Sequence, residues 1–563
     1  MKYLFSILLI FTALLQISSA QSEFSVNWQG EVKEADAFSF KLKLSLSSEA
    51  QLHISNAYWS KVARLKEIEH GRLKADFGEG LYAEVKKSKQ GYRLFIKSGV
   101  LFYHIPLKKE EKDRYSGKWD IWMTSLLSPM QTYLVYEQGE NDKALYPFFQ
   151  DGRFTGTWAA NYRWEGNKVS FQDMKTGLSF RGEIQKENIH LEFHLAGEKL
   201  TEIDYRPMAE SFTTGNRADQ KPGKPLYKDH WGEKESAISS GHLDKMENEI
   251  YAGELPNTHA VLMAQEGKLL YENYFYGHNA DIFHDQRSAS KSLTSAMIGI
   301  AIKEGLLQGV EQKLYDFVPE EYQYTRTDAK GEIDIHALLS MASGLDAIDF
   351  GIDRNSAASE GTYQNSPNWI KTVLEAPMIN ASGAKAYYGT ANPYLLGIIL
   401  EQLVDLPLEW YMDEKLFEPL GISQYVIQSD ERGIPYFGGG VYLRPRDMLS
   451  FGQLYLNEGK WGNTEILPEG WTERSFQKYG PLLNANNKNQ YGYLFWHREY
   501  EVGGKSYASI EARGAGGQYI AVIPQLEVVI AIASGNYRNG RFMLPEQIIE
   551  DYLLPAVLEQ MKD

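Results

Sequence analysis

The sequence predicts a multidomain chain, an all-β unit followed by a larger α/β unit, on three observations. Its 563 residues exceed what one ordinary core holds. Through residues 21–208 apolar side chains alternate with polar ones, the period of strands with one wet face. From residue 231 onward, helical spacings are interleaved with short apolar runs. The 43% apolar and 23% charged fractions are those of a globular protein with a sizeable core.

The first twenty residues stand apart. Lys2 gives a positive start, 4–15 is an almost unbroken apolar run, and Ser18-Ser19-Ala20 is a small-residue cleavage site. This is the pattern of a secretory signal peptide cut near Ala20/Gln21, and the run is shorter than the roughly 18 apolar residues of a membrane span. An exported protein, periplasmic or secreted and without a transmembrane anchor after cleavage, is therefore expected. The chain has no cysteine, which excludes disulfides, thiolate metal sites, a cysteine nucleophile and lipid attachment through cysteine. A net charge of −16 argues against a nucleic-acid partner.

In the β-rich unit, Phe38, Phe40, Leu42, Leu44 and Leu46 alternate with Ser39, Lys41, Lys43 and Ser45. Ile189, Leu191, Phe193 and Leu195 alternate in the same way with His190, Glu192 and His194. Short strands are predicted at 92–97 and 133–136. An aromatic-x-Gly-x-Trp pattern ends at Trp119 and again at Trp158, placing glycine at strand kinks beside packed aromatics. A barrel or sandwich follows, with a lipocalin-like barrel as one form of it. Its role, whether enclosing an apolar ligand or docking a partner, is not written in the alternation. His190 and His194 share a strand face, but without a third ligand they read as solvated surface histidines.

From Arg206 to His230 the pattern dissolves into Pro207, Thr213-Thr-Gly215 and Lys221-Pro-Gly-Lys-Pro225, a linker by composition, set at 209–230. Cleavage there should release an independent β unit, and a piece beginning near Leu226 should fold alone. Beyond it Leu243, Met246 and Ile250 keep helical spacing, and 260–263 and 269–275 flank Glu266-Gly267-Lys268 as a β-hairpin.

Chemistry enters with Ser-x-x-Lys. A serine and a lysine three residues apart lie about 60° apart around a helix, close enough for a neutral amine to take the serine proton. The pattern occurs at Ser288/Lys291, Ser382/Lys385 and Ser475/Lys478, so context must choose. Ser288 opens a strongly apolar run, Leu293 to Ile302, closed by Gly305. Such a helix is buried and carries its N-terminus, with positive potential, into the domain. Ser382 sits beside Gly383 without helical periodicity, and Ser475 lies in a polar stretch that reads as solvated. Taken alone, Ser288 could equally be an ordinary helix-capping serine.

The stretch Ser288-Ala-Ser-Lys-Ser-Leu-Thr-Ser295 resembles the nucleophile helix of the β-lactamase-related serine hydrolases. These include class C β-lactamases, D-alanyl-D-alanine peptidases, family VIII esterases and 6-aminohexanoate-oligomer hydrolases. The resemblance extends in order through His336-Ala-Leu-Leu-Ser-Met-Ala-Ser-Gly-Leu-Asp346, Gly438-Gly-Gly-Val-Tyr-Leu-Arg-Pro-Arg-Asp-Met448 and Phe451-Gly-Gln-Leu-Tyr-Leu-Asn457. It covers nearly all of 240–550 and none of the first 200 residues. It implies a β-lactamase/transpeptidase-like fold for 231–563, an antiparallel sheet with a helical subdomain.

By the same resemblance, Tyr388-Gly-Thr-Ala-Asn-Pro-Tyr-Leu-Leu-Gly397 supplies the second motif, with Tyr388 as its tyrosine. Thr390 stands where asparagine is common, and Asn392 comes two later. The third motif is Ala512-Arg-Gly-Ala-Gly-Gly-Gln518. The amides of Ser288 and Ala515 would form the oxyanion hole, with Thr390, Asn392, Ala512 and Gly514 against the substrate. Ala512 replaces a cation, and Arg513, its neighbour on a strand, is expected to aim away from Ser288.

The implied reaction is attack by Ser288, an acyl-enzyme and its hydrolysis, with Lys291 and Tyr388 sharing the proton and no metal or organic cofactor. Which of the two is the base is left open. A charged Lys291 is expected to lower the tyrosine pKa. The expected substrate is a small-molecule or peptide-like acyl compound with a neutral acyl group, ester or amide. The rival reading is a catalytically silent penicillin-binding-like protein that holds a wall peptide or partner.

Overall fold

The alternation in the N-terminal part folds as strands with one wet face. Ser39–Ser45 buries Phe40, Leu42 and Leu44 and exposes Lys41 and Lys43. It pairs antiparallel with Arg114–Asp120 and Gln51–Ser55 in a five-stranded sheet. Trp119, ending the first aromatic-Gly-Trp pattern, stacks on Phe40 at 4.9 Å. Its Gly117 lies where a Cβ would come within 3.2 Å of Ile105, so glycine lets the two strands cross closely. Ile189–Leu195 belongs to a separate eight-stranded antiparallel sheet. The computed structural model describes residues 28–561 except 33–35, 90, 124–130, 139–142, 150–157, 208–230, 232–237, 239, 486–489 and 538. The expected signal peptide, the linker 209–230 and most of the second aromatic-Gly-Trp pattern lie outside the described residues.

The all-β character of the N-terminal part therefore holds, as antiparallel sheets of five and eight strands. The two histidines of Ile189–Leu195 are not a solvated pair. The register shifts between Phe193 and His194, which leaves His194 6% exposed and 3.1 Å from Glu192. His190 instead hydrogen-bonds Asp204 at 2.8 Å.

The C-terminal part is built on an antiparallel sheet of eight strands, beginning with Lys268–Tyr274 and Thr258–Gln265. Glu266 and Gly267 both have positive φ, 50° and 73°, the geometry of a tight hairpin turn. Val528–Ser534 and Gln518–Ile523 are buried at every position. Helix Pro445–Leu456 covers one face of them, and Gly241–Ala252 with the C-terminal helices covers the other. Ser240 caps Gly241–Ala252, and Gly253 ends it at φ 82°. Around this sheet stand the helices Lys291–Lys303, Trp369–Glu375 and Ala391–Leu403.

The two parts are not separate bodies. Leu101–Pro106 pairs with Tyr425–Gln428, register Phe102 to Ile427. That pairing continues one sheet from Lys66–Ile68 through Gly91–Ser98 to Val441–Leu443 and His284–Asp285. Phe95 and Phe102 belong to the C-terminal core, and Val426 and Tyr442 to the N-terminal one. Phe95 packs edge-on against Trp410 at 4.8 Å, His104 stacks on Tyr425 at 4.9 Å, and Arg93 forms an ion pair with the fully buried Asp413. The sheet and the apolar seam thus cross the boundary that composition draws.

Candidate active site

That shared sheet ends at the turn bearing Ser288. The strand His284–Asp285 leads into a 3-10 turn, Arg287–Ser290, which runs on into helix Lys291–Lys303. Arg287 has φ of 48°, a strained value for a residue with a side chain. Asp285 holds it there, accepting from the Arg287 backbone N–H at 3.0 Å and pairing with its guanidinium at 3.1 Å. The helix is buried from Lys291 to Ala301 because its apolar residues surround the axis. The Gly438-Gly-Gly segment braces it, since Thr294 donates to Phe437 O at 2.8 Å and Val441 N–H donates to Ser290 Oγ at 3.2 Å.

Lys291 Nζ lies 2.9 Å from Ser288 Oγ and 2.7 Å from the Gly438 carbonyl. The lysine is 1% exposed. Burial lowers its pKa from the ordinary lysine value, partly opposed by the carboxylates of Glu360 and Asp349. Tyr388 completes the group: its ring centre is 5.2 Å from Lys291 Nζ, and it stacks on Trp496 at 5.4 Å. Burial pushes the Tyr388 hydroxyl well up, with a hydrogen bond to Ser288 acting the other way. The expected lowering of the tyrosine pKa is not found, because desolvation outweighs the hydrogen bond to Ser288.

Ser288, Tyr388, Thr390, Gly514 and Ala515 line one cleft of about 890 Å³. Gly514 is forced: a Cβ there would sit 2.1 Å from Gln286 O, so only glycine lets the strand Lys505–Gly514 press against the nucleophile turn and bring Ala515 beside Ser288. Gly389 is likewise forced, its ideal Cβ falling 1.6 Å from Ala347 O. Thr390 is committed to Asp349, to which its N–H and hydroxyl donate at 2.8 and 2.5 Å. Asn392 is buried with its amide on Gly389 O at 2.9 Å, and it does not line the cleft.

The strand phase is opposite to expectation. Ala512 is packed in the core opposite Ile520, whereas Arg513 lines the cleft. Consecutive residues do point to opposite faces, but the face towards Ser288 belongs to Arg513 and its partner Tyr519. Arg513 is bound to Glu511 at 2.6 Å and to Glu546 at 2.8 Å, which offset its charge. Of the other Ser-x-x-Lys pairs, Ser382 and Lys385 lie in a turn outside the cleft. Ser475 is fully buried, not solvated, and its Lys478 turns outward to Glu499.

Several cleft residues escaped sequence reasoning. Asp349 and Glu360 bring carboxylates towards Lys291, and Phe350 and Trp496 flank Tyr388. Asn484 also clamps the Tyr388 backbone, accepting from its N–H at 2.7 Å and donating to its carbonyl at 3.1 Å. None stands in a motif; the three-dimensional fold alone assembles them.

A serine with a buried lysine at its hydroxyl, at the mouth of a cleft in an antiparallel sheet with flanking helices, defines a class that sequence comparison now names. The family model for Beta-lactamase matches residues 257–550, more than half the chain, and the chain belongs to that family. It is similar to 6-aminohexanoate-dimer hydrolase of Paenarthrobacter ureafaciens, 24% identical over 289 residues, 48% of this chain and 71% of that protein. It is also similar to monacolin J acid methylbutanoyltransferase of Aspergillus terreus, 28% identical over 157 residues, 26% of this chain and 38% of the relative's length. Among solved structures, a putative 6-aminohexanoate-dimer hydrolase from Bacillus anthracis matches 55% of this chain and 81% of its own at 21% identity, TM-score 0.46.

Proposed function

We propose that the protein is an exported serine hydrolase that cleaves an ester or amide of a neutral acyl group through an acyl-enzyme on Ser288. The observation that carries this is the 2.9 Å contact between Lys291 Nζ and Ser288 Oγ in a buried site. Export rests on the leader pattern of residues 1–20.

The opposed pKa directions divide the roles. Lys291, eased towards its neutral form by burial, takes the serine proton as Oγ attacks the carbonyl carbon. The amides of Ser288 and Ala515 receive the developing oxyanion. Tyr388, held in its protonated form, relays a proton to the departing alkoxide or amine. Water then adds to the acyl-enzyme carbonyl, losing its proton to the same pair, and Ser288 leaves reprotonated.

Preference for a neutral acyl group is supported by the cleft wall. Phe350, Trp496, Phe542 and Met543 give it apolar surface, and Arg513, the one arginine among its described lining residues, is already matched by two carboxylates. Asp349 and Glu360 add negative charge, which disfavours a substrate carboxylate. The test compares kcat/KM for p-nitrophenyl butyrate and for nitrocefin on one preparation. The ester should be turned over and the cephalosporin far less. An efficient cephalosporinase would overturn the substrate reading. No turnover of any ester, amide or lactam would favour the silent penicillin-binding-like alternative.

A further inference from the structure

We infer that Lys175 is a positioning residue: reaching from the N-terminal β part, it braces Asp285 and, through Asp285, the strained Arg287 backbone that presents Ser288. The inference rests on Ser288 being the nucleophile. Lys175 lies in the turn between the strands Lys168–Asp173 and Ser179–Ile184. Asp173, fully buried, shapes that turn. It accepts from the N–H groups of Trp158 at 2.7 Å, Lys175 at 3.1 Å and Thr176 at 3.2 Å, and from the Thr176 hydroxyl at 2.6 Å.

The turn is fastened to the corner between Gly91–Ser98 and Leu101–Pro106. Val100 N–H donates to Met174 O at 2.9 Å, and the Ser98 hydroxyl donates to Thr176 O at 2.6 Å. Two glycines let them close: a Cβ on Gly177 would fall 2.5 Å from Gly99 N, and one on Gly99 would fall 2.4 Å from Gly177 N. The corner is itself tied to the C-terminal part, since Ser429 N–H donates to Val100 O at 2.7 Å. A turn held on both sides leaves its lysine little freedom.

Lys175 is 7% exposed, and burying an ammonium is costly unless an opposite charge faces it. Its Nζ stands over the Tyr442 ring at 5.4 Å, and Tyr442 is the strand partner of Asp285. Asp285 is 2% exposed and is the carboxylate that acts most strongly on Lys175, ahead of Asp173. Burial lowers the Lys175 pKa to about 8 against the pull of Asp285, so the ammonium persists at neutral pH. Asp285 thus answers two cations, Lys175 from the β part and Arg287 from its own turn. Its grip on the Arg287 N–H holds a backbone at φ 48°, which the turn does not keep unaided. Without Lys175 that grip slackens, and Ser288 Oγ drifts from Lys291 Nζ. Such a misplacement slows attack more than it weakens substrate binding.

The test compares Lys175→Met and Lys175→Arg in the full chain by fluorophosphonate labelling, ester turnover and thermal midpoint. Lys175→Met should slow labelling and lower kcat about 10- to 100-fold with KM little changed, and Lys175→Arg should restore most of both. Lys97→Met removes another buried lysine between the two parts, one that donates to Ser429, and should leave the labelling rate unchanged. Adding Lys175→Met to Asp285→Asn should slow labelling no further, because Lys175 acts through Asp285. A folded Lys175→Met that labels at the wild-type rate overturns the inference. So does a loss equalled by Lys97→Met, or one that adds in full to that of Asp285→Asn. Should Lys175→Met not fold, Lys175→Gln takes its place with the same expectation. Wild-type protein that takes no label overturns the reading of Ser288, and this inference with it.

Discussion

Several N-terminal strands are buried on one face, whereas the central C-terminal strands are buried on both. Ser39–Ser45 alternates buried and exposed residues, while Val528–Ser534 is buried throughout. The difference divides the labour. The turn of Ser288, the helix of Lys291 and the loop of Tyr388, which carry the candidate catalytic group, all belong to the C-terminal part. The half-wet part contributes none of them, yet its sheet runs through the seam to His284–Asp285, just before Ser288.

The largest expected effect breaks the chemistry and leaves the architecture. Ser288→Ala should lose on the order of 10⁴- to 10⁶-fold in turnover with an unchanged thermal midpoint. A variant that unfolds, or keeps its activity, would contradict this division. Next is the seam. Phe102→Ala, removing a 3% exposed ring that an N-terminal strand lends to the C-terminal core, should cost about 3–5 kcal/mol and lower the midpoint of a single cooperative transition. Two transitions, with activity outlasting the first, would show that the parts are independent after all. A piece beginning at Leu226 should aggregate, because it uncovers the edge of Tyr425–Gln428 and the faces of Trp410 and Tyr425.

The smallest effect is a pH signature at the seam. Buried Lys97 donates to Ser429 at 2.7 Å, and burial lowers its pKa to about 7. In the unfolded chain the value is about 10.4, so between the two the unfolded state binds more protons and stability rises with pH. Lys97→Met removes that rise. It should therefore raise the thermal midpoint more at pH 7 than at pH 10. A gap that widens with pH would reverse the sign and discredit the seam as a dry interface.

Much of this was legible in sequence where the signal is local. The period-2 pattern located Ser39–Ser45 and Ile189–Leu195, and Glu266-Gly267 located the hairpin. The apolar run after Ser288 separated one Ser-x-x-Lys from two others. What failed depended on partners distant in the chain. The face that Ala512 or Arg513 presents to Ser288 is set by how Ile520 packs beneath helix Pro445–Leu456, where an ideal Cβ on Gly452 falls 2.8 Å from Ile520. No alternation carries that phase. The sheet pairing of Leu101–Pro106 with Tyr425–Gln428 joins residues more than 300 apart, which no local composition signals. Asp349 and Asn484, from two further loops, reach Tyr388 by the same long-range route.

The central claim is that burial makes Ser288 nucleophilic through Lys291, and the rate of fluorophosphonate labelling on the full chain measures it most directly. The account predicts one adduct, on the peptide containing Ser288. Its formation rate should rise with pH through an apparent pKa below the ordinary lysine value, as neutral Lys291 becomes available. Lys291→Met should remove that titration and slow labelling about 10²- to 10⁴-fold. An adduct on Ser382 or Ser475, no adduct on folded protein, or a pH profile unchanged in Lys291→Met would contradict it.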